Sequence, residues 1–95
     1  MAALLYTEGA REDMQRLAEF LQEEDPAAAG RTAALLIQGL EILESHPLMG
    51  RPLGGETHEL IISRGRSGYV AVYQYQEPQD RILVLAIRHQ REAGM

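Results

Sequence analysis

Arg81-Ile82-Leu83-Val84-Leu85-Ala86-Ile87-Arg88-His89 is the stretch on which the fold turns. Side chains alternate between the two faces of a strand, so Ile82, Val84 and Ala86 share one face and Leu83, Leu85 and Ile87 the other. A strand apolar on both faces belongs inside a sheet, with cover on both sides. Upstream, Gln76-Glu77-Pro78-Gln79-Asp80 is a turn. Residues 69–75 form a second strand, with Val70 and Val72 on one face and Tyr69, Tyr73 and Tyr75 on the other. Arg64-Gly65-Arg66-Ser67-Gly68 turns again, and residues 59–63 form a third strand. Residues 46–58 carry Pro47, Gly50, Pro52, Gly54 and Gly55, which reads as an irregular connection.

The first half of the chain reads as helical. Ala3-Leu4-Leu5-Tyr6 is a short strand, and Thr7 is an N-cap whose hydroxyl can accept a bond from an early helical amide. Glu8, Glu12 and Asp13 suit the positive end of the helix dipole. Ala10, Met14, Leu17, Ala18 and Leu21 then make one apolar stripe. Asp25-Pro26 starts a second helix, with Asp25 as cap and Pro26 at the first helical position, where its missing N–H costs nothing. Ala29, Ala33, Leu36, Ile37, Leu40 and Leu43 continue at helical spacing, and Pro47 stops the helix near Ser45. The connection is short, so the helices form an antiparallel hairpin. The element order is β-α-α-β-β-β in one α+β domain over residues 1–95. One helical layer covers only one face of a sheet. Part of the other face must stay exposed, and an exposed apolar patch reads either as a partner site or as plain apolar surface.

Composition narrows the function. The chain has no cysteine, which excludes disulfides, a thiolate nucleophile and a thiolate metal site. No apolar run approaches the length of a membrane span, and the N-terminus lacks a basic region followed by an apolar core, so a cytoplasmic location is expected. The net charge is −5, which argues against tight nonspecific nucleic-acid binding. The charge is uneven. Residues 1–45 hold three arginines against nine acidic residues, whereas residues 46–95 hold six against five, plus all three histidines. Any anion-binding surface therefore lies in the second half. Every basic residue is arginine and none is lysine.

The element order, Gly50-Arg51-Pro52, the strand Gly68-Tyr69-Val70-Ala71-Val72-Tyr73 and the ending Ile87-Arg88-His89-Gln90-Arg91-Glu92 together resemble the RelE/ParE toxins of bacterial type II toxin–antitoxin systems, which include plasmid stabilisation toxins. The resemblance spans the whole chain. It implies a helical hairpin packed on an antiparallel sheet, and a cognate antitoxin whose C-terminal segment wraps and neutralises the toxin. It also implies one of two targets. RelE-like members cut messenger RNA at the ribosome, and ParE-like members inhibit DNA gyrase.

On the RelE-like pattern the catalytic residues are Arg66, Arg88 and His89, which stabilise the phosphorane charge and transfer protons. Two departures weaken that pattern. Its lysines have no counterpart here, and Met95 stands where many relatives place a near-terminal tyrosine. Arg51, Arg64, Tyr69, Tyr73 and Arg91 are candidates for contact with target or antitoxin. Each also has a plainer reading: Arg51 as a solvated turn residue, the tyrosines as sheet packing, His89 as a structural strand end, and Arg88 and Arg91 paired with Glu92 or Glu59. His46 and His58 flank a loop without a carboxylate cluster, so no metal and no cofactor is expected. The expected function is a type II toxin, silenced by its antitoxin, that inhibits gyrase by binding. The alternatives are a ribosome-dependent mRNA endonuclease and an inactive relative.

Overall fold

A computed structural model describes residues 1–62 and 68–89. Strand β1 (Ala3–Tyr6) leads into helices α1 (Glu8–Glu24) and α2 (Pro26–Glu41), which ends in a 3-10 turn, Ile42–Glu44. Four strands follow: β2 (Arg51–Gly54), β3 (Thr57–Ile62), β4 (Tyr69–Gln76) and β5 (Arg81–His89). They form one sheet in the order β1-β5-β4-β3-β2.

The sheet is mixed rather than antiparallel. β1 runs parallel to β5, and every other pair is antiparallel. Parallel neighbours need a long crossover, and the chain between β1 and β5, helical hairpin included, supplies it. The strand β2 corrects a second expectation, since residues 51–54 were read as irregular. Pro52 is tolerated there because β2 is an edge strand, where a missing N–H can face solvent. Gly54 and Gly55 take φ of 135° and 56°, a region glycine enters without strain, and so turn the chain into β3.

The helices start and stop where local chemistry dictates. The Thr7 hydroxyl accepts from Ala10 N–H at 3.2 Å and donates to Val84 C=O at 2.8 Å, so one side chain caps α1 and fastens it to β5. Asp25 alone separates the two helices. Its N–H closes α1 on Leu21 C=O at 2.7 Å, and its C=O accepts from Ala29 N–H in α2 at 3.1 Å.

The core lies between the hairpin and one sheet face. Ala10, Leu17, Leu36, Leu40 and Leu43 meet Leu60, Ile62, Tyr69, Ala71, Tyr73, Ile82, Val84 and Ile87. The inward set on β5 is therefore Ile82, Val84 and Ile87, not Ile82, Val84 and Ala86. A bulge causes the change. Tyr73 pairs with Val84 and Val72 with Ala86, which leaves Leu85 as an extra residue that shifts the alternation by one.

Tyr73 is fully buried and ties the connection before β2 to this core. Its hydroxyl donates to Pro47 C=O at 2.8 Å and accepts from Gly50 N–H at 2.9 Å. A Cβ on Gly50 would lie 2.7 Å from that hydroxyl and 2.8 Å from Glu59 O, so the site admits only glycine without a shift. Burial raises the Tyr73 hydroxyl above its ordinary value near 10, and the Gly50 bond offsets part of this. Burial, with the charges of Glu41 and Glu44 as smaller causes, raises Tyr6 likewise. Both phenols are neutral below pH 10, so their contribution to stability is complete there and is lost as pH rises through the raised values. Tyr73→Phe leaves two backbone groups without this partner and should lower stability by about 1–3 kcal/mol at neutral pH. Urea unfolding at stepped alkaline pH should also show a shallower loss in Tyr73→Phe than in the wild type.

Candidate functional site

The sheet face turned away from the helices is the candidate site. Strand alternation and register place Arg51, Thr57, Glu59 and Ile61 of β2 and β3 on it, beside Val70, Val72 and Gln74 of β4. Arg81, Leu83, Ala86 and Arg88 of β5, Gln76 of β4, and Ala3 and Leu5 of β1 also lie on it. Both described helices pack on the opposite face. Leu5 and Ile61 are 44% and 40% exposed. Arg81 shares this face with Leu83 and donates to Gln76 Oε1 at 2.8 Å. The face is thus a strip of aliphatic side chains with Arg51 and Arg88 at two of its edges.

Neither arginine stands alone. Arg51 Nη2 donates to Glu59 Oε1 at 2.8 Å across the β2–β3 pair. The side chain of Arg51 is 72% exposed, so this pair is well solvated. Arg88 is held differently. Its Nη1 bonds Asp13 Oδ2 of α1, in a short charge-assisted contact, and also Ile87 C=O at 3.2 Å. The same Asp13 oxygen accepts the Ile87 N–H at 3.0 Å, and its other oxygen lies 3.4 Å from Arg16 Nη1. The Asp13 side chain is only 13% exposed.

Several candidates land elsewhere. Tyr69 and Tyr73 are 2% and 0% exposed on the core face, so they pack the interior and offer no ring to a partner. His58 stacks on Tyr73 at 5.4 Å and belongs to the same buried layer. His89 faces Tyr69 edge-on at 5.1 Å. Arg88 and His89 are adjacent on one strand and start from opposite faces, in register with Val70 and Tyr69 of the next strand. Arg88 is paired with Asp13 rather than with Glu59, which Arg51 occupies. Arg64, Arg66 and Arg91 lie outside the described residues. Among the described residues, no three His, Asp or Glu side chains gather as metal ligands would, and no helix is long and apolar enough to cross a membrane.

Asp13 is the residue that sequence reasoning missed. It sits among helix-start acids, where a favourable dipole is explanation enough. Only the fold brings it against the end of β5, more than seventy residues away.

This geometry has relatives. Residues 4–94 match the family described as the ParE toxin of the type II toxin-antitoxin system parDE. The chain belongs to the RelE/ParE toxin family. It is the toxin of a type II toxin–antitoxin system. It is 35% identical to Toxin RelE3 of Caulobacter vibrioides over 83 residues, 87% of this chain and 88% of that one. It is 42% identical to Toxin RelE1 of the same organism over 65 residues, 68% of this chain and 70% of that one. The RelE/ParE fold is also found in the chromosomal ParDE system from P. aeruginosa, at a TM-score of 0.77 and 17% identity over 94% of this chain and 96% of that one. The intact E. coli RelBE toxin-antitoxin complex follows at a TM-score of 0.65 and 17% identity, with the same coverage.

The two arginine pairs of this toxin should differ in strength. An exposed pair contributes about 0–1 kcal/mol, so a double-mutant cycle on Arg51 and Glu59 should give a coupling in that range. The cycle on Arg88 and Asp13 should give about 1–2 kcal/mol, because the carboxylate is largely shielded and its bond is charge-assisted. Equal couplings in urea unfolding would contradict the difference in burial.

Proposed function

We propose that this toxin acts by binding a protein, in the ParE-like manner of a gyrase inhibitor, and that the sheet face left uncovered by the described helices makes the contact. The pairing of Arg88 with Asp13 carries the reading. A phosphorane needs cations aimed at its developing charge, and a guanidinium already neutralised by a shielded carboxylate stabilises such charge poorly. Arg51 is likewise matched by Glu59. Between them lies an aliphatic strip, and aliphatic surface gains free energy by leaving water against another protein. Binding of nucleic acid depends instead on phosphate neutralisation, which a chain of net charge −5 without lysine resists. The antitoxin, on this reading, silences the toxin by covering the same strip.

A second reading is favoured by the names of the two Caulobacter relatives, both RelE toxins. It makes the chain a ribosome-dependent mRNA endonuclease using Arg66, Arg88 and His89. The two readings separate on pulse-labelling of DNA and protein synthesis after induction without antitoxin. Gyrase inhibition predicts that DNA synthesis falls first while messages stay intact. An early fall in protein synthesis with cut messages would establish the nuclease instead, and no fall in either would mark an inactive relative.

A further inference from the structure

Arg88 begins on the sheet face that no described helix covers. Its register partner is Val70, whose other neighbour is Ile61, so an arm extended along that row would lay a cation over the aliphatic strip. It does not lie there. The guanidinium turns over the edge of β5 that β1 leaves open, since the β1–β5 pairing stops at Tyr6 and Val84. At that edge Asp13 takes both the Ile87 N–H and Arg88 Nη1. One carboxylate thus satisfies a strand edge and removes a positive charge from the neighbouring face.

We propose that Asp13 is a specificity-determining residue, which keeps the Val70–Ile61 row of that face apolar by withdrawing Arg88 from it and so selects a protein surface over a polyanion. The proposal rests on the reading of that face as protein-binding. Asp13 touches no partner in this role and acts through Arg88; its other oxygen contacts Arg16 one turn along α1, at 3.4 Å. Its charge is essential, whereas its hydrogen bond to the strand can be made by an amide. Asp13→Asn keeps an oxygen for the Ile87 N–H and loses the carboxylate that holds the guanidinium. Arg88 then returns to the face and offers a phosphate one charge-assisted contact.

The test is fluorescence anisotropy of a labelled single-stranded oligonucleotide with the purified full chain, alongside thermal melts. Asp13→Asn should bind the oligonucleotide several-fold more tightly than the wild type at low salt. One added phosphate contact predicts that raising salt about fourfold shrinks this gain by roughly 2.5-fold. Asp13→Asn combined with Arg88→Gln should return to the wild-type level, and Asp13→Glu should stay there. The proposal is overturned if Asp13→Asn melts cooperatively yet binds no more tightly than the wild type. It is also overturned if the double variant, whose net charge is again that of the wild type, binds as Asp13→Asn does, or if Glu19→Gln, which changes the net charge equally on an exposed helix face away from Arg88, gains as much. Should Asp13→Asn fail to fold, phenylglyoxal labelling of the wild type decides. Arg88 should react more slowly than Arg51, and equal rates would refute the withdrawal. Gyrase plays no part in these readouts, so the reading of the target can fail separately.

Discussion

The open edge of β5 is the constraint on which the rest depends. β1 pairs with β5 only as far as Tyr6 and Val84, yet β5 continues to His89. Strand N–H and C=O groups left without partners are costly wherever water is excluded. The chain meets this need with the start of α1. Thr7 N–H bonds Val84 C=O at 3.1 Å, the Thr7 hydroxyl bonds the same carbonyl, and Asp13 accepts Ile87 N–H. The helix therefore begins where β1 ends and runs beside the uncovered length of β5. This placement brings Ala10 and Leu17 into one core with Ile82, Val84 and Ile87. The Asp25 link then folds α2 back over the same face.

One consequence is a sheet with two unlike faces. All described helical mass is committed to the core side, and the other side keeps aliphatic residues that no described helix covers. A second consequence is electrostatic. The carboxylate that satisfies the strand edge is also the partner of Arg88, so structure and surface charge are set by the same side chain. A domain of this size is only marginally stable, and a partner that removes the strip from water adds the stability that a second helical layer would provide.

What the sequence revealed was local. β5 is legible at both ends because its apolar run is bounded by Arg81 and by Arg88-His89. Thr7 and Asp25-Pro26 are legible because capping depends on residues a few positions apart. The features that escaped are long-range or depend on context. Pro52 and Gly54 look like loop residues, and only an edge position makes them a strand. The Leu85 bulge changes which residues face inward without leaving a mark in composition. Parallel pairing of β1 with β5 is a topological fact invisible to any window. Tyr69 and Tyr73 were legible as one face of a strand, but which face was buried depended on where the helices landed. Asp13 escaped because its local explanation was already sufficient.

On the proposed reading an aliphatic sheet face, not an arginine-histidine site, carries the toxic activity. That reading is tested most directly by inhibition of supercoiling by purified gyrase, comparing the wild type with Ile61→Glu and His89→Ala, each checked by thermal melting. The account predicts that Ile61→Glu abolishes inhibition while His89→Ala retains it. Inhibition that survives Ile61→Glu, or no inhibition by the folded wild type, would contradict it.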